Sequence, residues 1–216
     1  LNIYNDEQKF LAKGYGIDVA SQRADDLDAM AIEKVSMTPS AMAMDIACGS
    51  GGQSVRMANA GATVFATDVI DVGNSLREVK LDSGRIIFSR MRMQNLDLVH
   101  FDADVIVCQR AIHYLPYRIA VKVVSEMRRL LAPDGRLYLS ASGIDSELGE
   151  GYPKRCDIKT RFAMLTDSMK AKHGIHASVC LYSSGDMERL LAESGLVCDS
   201  VFVSPFGNIK AVARHA

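Results

Sequence analysis

The chain has 216 residues, 48% hydrophobic and 24% charged, with 25 Lys and Arg against 26 Asp and Glu. That composition excludes disordered, collagen-like and disulfide-scaffold classes, and the length gives one core large enough to need no metal or disulfide staple. A formal charge of −1 removes the global attraction used in nonspecific polyanion binding, which argues against nucleic acid as a partner.

No apolar stretch approaches the roughly 18–20 residues of a bilayer span. The first ten residues carry Asp6, Glu7 and Lys9 in place of the apolar segment of a secretory signal. A cytoplasmic location is expected. Cys48, Cys108, Cys156, Cys180 and Cys198 form no C-x-x-C pair, the pattern of reduced, mostly buried thiols.

Residues 1–40 are mostly helical by pattern and are expected to form an N-terminal cap on a single domain over 41–216. Residues 41–47 read as a buried strand running into the Gly-rich turn Cys48-Gly49-Ser50-Gly51-Gly52, followed by a helix over 53–60 that Gly61 stops. A second strand, Thr63–Thr67, ends at Asp68. A short helix near 74–81, a third strand over 85–89 and a fourth over 104–109 follow, the last with a Val-Ile-Val run suited to burial on both faces. The spacing predicts a helix over 119–131, a turn at Pro133-Asp134-Gly135 and a fifth strand over 136–142.

Ser183 and Asp186 are spaced as a capping box for a helix over 187–194. Strands over 197–204 and 209–214 are then joined by four residues, too few for a crossover helix, so they must pair antiparallel. The expectation is a doubly wound α/β sheet, mostly parallel with a C-terminal antiparallel strand pair and helices on both faces. Residues 143–182 leave the fifth strand at the edge where such sheets bind ligands, and are expected to form a lid-like insertion.

Gly49 and Gly51 lie where a helix begins, so backbone N–H groups are free and no Cβ blocks a ligand. Asp68 ends the next strand, placed to accept from ribose hydroxyls. A dinucleotide fingerprint fails because Ser54 stands at its third glycine position, and no Gly-Lys-Ser/Thr follows for a P-loop. Asp45, four residues before Gly49, would repel a pyrophosphate and attract a cation such as an ammonium or a sulfonium.

The stretches Asp45-Ile46-Ala47-Cys48-Gly49-Ser50-Gly51, Asp68, Phe101 to Leu115 and Leu131 to Leu137 together resemble the class I S-adenosylmethionine-dependent methyltransferases, from about residue 41 onward. The resemblance implies their seven-stranded fold and S-adenosylmethionine as methyl donor, with S-adenosylhomocysteine as product. It implies that Asp45, Ala47, Gly49, Gly51 and Gln109 lie along the cofactor's methionine part, that Asp68 binds its ribose, and that Val69, Ile70 and Met91 pack on its adenine. Ser89-Arg90-Met91-Arg92 departs from relatives that place a carboxylate there for the adenine amino group.

His113, four residues beyond Gln109, is the candidate general base. The end of strand four lacks the Asn/Asp-Pro-Pro-Tyr run of base-amine methyltransferases, and no carboxylates end strands four and five, so no metal is expected. A small-molecule acceptor is favoured, with an RNA or protein acceptor, or a noncatalytic binding module, as the alternatives. In the insertion Lys154, Arg155, Lys159, Arg161, Lys170 and Lys172 outnumber Asp157 and Asp167 and are expected, with Arg92 and Arg110, to steer an anionic acceptor.

Overall fold

The computed structural model describes Tyr15, Asp18, residues 23–154 and residues 156–216. Most of the expected N-terminal cap before residue 23, and Arg155, lie outside the described residues. The described part of that cap is helix α1 (Asp26–Ser36), opened by a reciprocal capping box between Asp25 and Asp28.

The strands follow the expected alternation: β1 (Met42–Ile46), β2 (Thr63–Asp68), β3 (Arg85–Arg90), β4 (Ala103–Cys108), β5 (Leu131–Ala141), β6 (Leu196–Val203) and β7 (Ile209–His215). Between them lie α2 (Gly52–Asn59), α3 (Gly73–Glu78), α4 (Tyr117–Arg129), α5 (Asp167–His173) and α6 (Ser184–Glu193). One seven-stranded sheet runs in the order β3-β2-β1-β4-β5-β7-β6. Strands β1 to β5 pair in parallel, whereas β7 runs antiparallel to both β5 and β6. Strand order reverses between β1 and β4, which opens a crevice beyond their carboxyl ends.

Local chemistry accounts for the elements. Helix α4 starts after Pro116 and buries Tyr117, Ala120, Val123, Val124 and Met127, the spacing of one helical face turned to the core. Helix α6 has the expected Ser183–Asp186 box, and Gly195 after it takes φ 77°, a left-handed stop that favours glycine. Strand β4 is buried along nearly its whole length, as its Val-Ile-Val run requires.

The fifth strand departs from expectation by starting five residues early. Leu131 already pairs with Ala103, and the register then jumps so that Val105 faces Arg136. The Pro-Asp-Gly turn is therefore an excursion within β5, not the connector from α4. A Cβ on Gly135 would lie 2.6 Å from the Ala103 carbonyl oxygen, so the excursion folds back onto β4 only with glycine there.

The insertion has a small core of its own, formed by Ile144, Leu148, Tyr152, Leu165, Met169, Ile175, Val179 and Leu181. The Tyr152 hydroxyl donates to the Val179 carbonyl at 2.6 Å, and isolated bridges join Gly143 to Tyr182 and Ala163 to Val179. Helix α5, inside it, has no counterpart among the expected elements. Among the described residues no helix is long and apolar enough to cross a membrane.

Candidate active site

A cavity of about 1130 Å³ opens at the carboxyl ends of β1, β2, β4 and β5. Asp45, Ala47, Gly49, Asp68, Val69, Ile70, Met91, Gln109 and His113 all line it. Gly51 does not; it is the N-cap of α2, with φ 83°, and a Cβ there would lie 2.4 Å from Leu76 Cδ2. Its place in the site is indirect, since it lets the turn close against α3. Ala47, Gly49 and Gly51 all take positive φ, so the turn after β1 alternates left-handed residues, one of which carries a Cβ.

At the cofactor-type end the groups are acidic. The Gly49 N–H donates to Asp68 Oδ2 at 2.9 Å and the Ile70 N–H to Asp68 Oδ1 at 2.9 Å. Each carboxylate oxygen accepts more than one bond, so Asp68 keeps capacity for hydroxyl donors. Burial raises its carboxyl above the usual range, with those backbone bonds opposing the rise.

Asp45 is buried and accepts from Ser54 Oγ at 2.6 Å. Burial pushes its carboxyl up to about 7, with the charges of Asp28, Asp18 and Asp68 acting in the same direction. Asp18 accepts from the Ser50 N–H at 2.9 Å and from Ser50 Oγ at 2.8 Å. Four carboxylates thus converge around the turn, which suits a cationic ligand and disfavours a diphosphate.

Gln109 donates through Nε2 to Asp28 and Asp25 of the α1 cap, while its Oε1 accepts from Ser140 Oγ at 3.2 Å. Lys210, buried on β7, pairs with Asp25 at 2.7 Å and with Asp26. Neither Lys210 nor the acidic α1 cap was visible as a site feature in the sequence. The signal for Lys210 is its isolation in the Ile209–Ala213 run, where a buried cation requires a partner.

At the other end stand Arg110, His113 and Tyr114. The backbone N–H of Arg110 is held by Ser140, through Oγ at 2.9 Å and the carbonyl at 3.1 Å. Both ring nitrogens of His113 face Ser142, Nδ1 against its N–H and Nε2 against its Oγ, each at 3.4 Å. Burial first, and the charge of Arg110 second, lower His113 to about 3, so its imidazole is neutral and a weak base. The Tyr114 ring lies 4.2 Å from that of His113, tilted by 40°, and meets Tyr15 edge to face at 5.2 Å.

The insertion supplies Asp145, Ser146, Glu147, Leu148, His173 and Ile175 to the cavity. Its described basic residues are committed elsewhere. Lys154 meets Asp145, Lys159 meets Glu193, Lys170 meets Asp167 and Lys172 meets Glu147. Arg161 is buried against Asp186 at 2.6 Å and also donates to backbone carbonyls of Cys156 and Leu181. None of the five lines the cavity, so they do not form the expected clamp, whereas Arg92 and Arg110 do line it. Cys108, whose thiol burial pushes up to about 12, and Cys48 are buried in the core, as expected of small apolar groups.

The sheet order, the antiparallel β7 and the Gly-rich turn facing Asp68 define the class I methyltransferase fold. Residues 43–135 match the family described as a methyltransferase domain. That match spans less than half of the chain and lies over the Gly-rich turn, Asp68 and strand β4.

Among solved structures, an S-adenosylmethionine-dependent methyltransferase from Clostridium acetobutylicum aligns with TM-score 0.70 at 14% identity, covering 98% of this chain and 100% of that one. The 1,6-didemethyltoxoflavin-N1-methyltransferase of Burkholderia thailandensis, with bound 1,6-didemethyltoxoflavin and S-adenosylhomocysteine, aligns with TM-score 0.69 at 15% identity over 97% of this chain and 86% of that one. The magnesium protoporphyrin IX methyltransferase of Synechocystis, with bound S-adenosylhomocysteine, gives TM-score 0.61 at 18% identity over 99% and 89%. No curated protein matches the chain.

Proposed function

We propose that the chain is a class I S-adenosylmethionine-dependent methyltransferase that acts on a small molecule held in the same cavity as its donor. One observation carries the reading: a single cavity of about 1130 Å³ joins the acidic Gly-rich turn to the Arg110, His113 and Tyr114 wall. A pocket for one drug-sized ligand spans roughly 300–1,000 Å³, so this volume suits a donor and a small acceptor side by side. Two similar proteins are methyltransferases of small organic compounds, 1,6-didemethyltoxoflavin and magnesium protoporphyrin IX respectively.

In this reading Asp68 binds the ribose hydroxyls, Val69, Ile70 and Met91 cover the adenine, and Asp45, Ala47, Gly49 and Gln109 flank the methionine part. Gly51 shapes the turn from behind. Bound S-adenosylmethionine supplies a methyl group on a positively charged sulfur, a good leaving group. The chain's own residues then mainly align the two partners and exclude water. His113 forms the wall beside the acceptor, and residues 143–182 cover it.

Calorimetry with S-adenosylhomocysteine tests the donor site, and release of S-adenosylhomocysteine from S-adenosylmethionine with pooled small metabolites tests turnover. Binding with Asp68→Ala weakened about tenfold or more is expected, from the loss of charge-assisted hydrogen bonds. Unchanged binding in that variant, or turnover only with RNA or protein substrates, would overturn the proposal.

A further inference from the structure

We infer that the acceptor is a small aromatic acid, a phenol or a carboxylic acid, methylated on an ionised oxygen that Arg110 holds. The inference rests on the donor assignment above and deepens it by naming the acceptor's chemistry.

The basic residues around the cavity divide sharply. Lys210 is taken by Asp25 and Asp26. Arg92 is exposed beside Met91 on the adenine side. Arg23 lies over the Phe206 ring at 5.7 Å, near the mouth. Arg110 alone of these stands beside His113 and Tyr114, and it has no ion pair among the described residues. Its Nε is buried and finds no acceptor among them. Arg110 lines the cavity, where its guanidinium presents an uncompensated positive charge to an anionic oxygen.

The backbone carries the same message. Arg110 takes φ 49°, a left-handed conformation that costs a non-glycine residue about 1–2 kcal/mol. Ser140 fixes it there by accepting from its N–H through both Oγ and the carbonyl oxygen. Strain of this kind persists where the surroundings overdetermine it, often at binding sites.

Next to this cation the wall is aromatic, with the Tyr114 ring between Tyr15 and His113. A flat ring carrying an acidic oxygen fits such a wall. His113 turns both ring nitrogens to Ser142, so it offers no free nitrogen to take a proton from the acceptor. An acceptor that arrives ionised needs none. Its oxygen lone pair forms the new O–CH3 bond, the S–CH3 bond breaks, and that electron pair stays on sulfur. Charge balances without a proton transfer, because the anion and the sulfonium become two neutral products.

The test uses the intact chain saturated with S-adenosylhomocysteine and titrated with benzoate and with benzamide at low salt. The wild type should bind benzoate in preference to benzamide. Arg110→Gln and Arg110→Gly should each weaken benzoate by about tenfold or more, the scale expected for deleting a buried charge partner, while S-adenosylhomocysteine affinity stays within about threefold. Arg110→Gly also relieves the left-handed strain, and thermal melting separates a loss of benzoate in either variant from unfolding. Equal binding of benzoate and benzamide, no benzoate binding, or unchanged benzoate affinity in the variants would overturn the inference. A parallel loss of S-adenosylhomocysteine would also overturn it, by assigning Arg110 to the cofactor's carboxylate. Failure of the wild type to bind S-adenosylhomocysteine at all would instead defeat the donor assignment.

Discussion

Ser54 Oγ donates to the buried carboxyl of Asp45 at 2.6 Å. The residue that breaks the dinucleotide fingerprint is thus the one that partners the carboxyl at the base of the turn. A glycine at 54 would leave Asp45 without that donor, so the two departures from a dinucleotide site are one structural feature.

Asp45 makes the stability of the cofactor-free chain depend on pH. Burial raises its folded value to about 7 from 3.8. Between about pH 4 and 7 the folded chain keeps a proton that the unfolded chain has lost, so stability falls as pH rises across that window and is lowest above it. The unfolding free energy from urea titrations should drop between pH 5 and 8 by an amount on the order of a few kcal/mol, and Asp45→Asn should flatten the profile. A wild-type midpoint independent of pH would contradict the assignment.

The same group couples donor binding to proton release. A cation beside Asp45 favours its ionised form, so S-adenosylmethionine affinity should rise between pH 6 and 8. Calorimetry in buffers of different ionisation enthalpy should detect a proton released at pH 6.5, and Asp45→Asn should abolish that release. The effect should be weaker for S-adenosylhomocysteine, which lacks the sulfonium charge.

Ala47 sits at φ 58°, where its Cβ is strained and glycine is not. Ala47→Gly should raise stability by about 0.5–1 kcal/mol, the balance of relieved strain against added freedom in the unfolded chain. At this chain length that is roughly a 2–4 °C rise in Tm per kcal/mol, read by thermal melting. Donor affinity should be little changed, because only a methyl group is removed from the wall.

Arg161 is expected to be a stability residue. It is buried with Asp186, which also forms the capping box of α6. Arg161→Met leaves that carboxylate and several carbonyls without their donor, and should cost about 3–5 kcal/mol. Benzoate and S-adenosylhomocysteine affinities of the folded variant should match the wild type. A selective loss of either ligand would return Arg161 to the site.

The β–α alternation, the antiparallel ending and most of the cavity wall were legible because they depend on local signals: Val-Ile-Val for a buried strand, glycines for the turn, a four-residue loop that admits only a hairpin. The start of β5 was misplaced because Pro133-Asp134-Gly135 is a turn signal whether it connects elements or bulges within one. The basic run at 154–172 read as an anion clamp because charge spacing shows which groups lie near each other in the chain, not which carboxylates fold against them. Glu147 and Glu193 reach Lys172 and Lys159 across 25 and 34 residues of sequence. His113 was visible as a residue type at a strand end, while the orientation of its ring toward Ser142 belongs to tertiary packing.

Strand β7 lies between β5 and β6, and its Lys210 neutralises Asp25 and Asp26 from 185 and 184 positions away. During synthesis the acidic edge of the crevice therefore waits for its counterion until residues 209–215 have been made. Chains emerge at about 5–20 residues per second, so a nascent polypeptide spends on the order of ten seconds with that edge uncompensated. Donor capture should accordingly require residues 209–215, and ribosome-bound fragments ending before residue 209 should not retain S-adenosylhomocysteine.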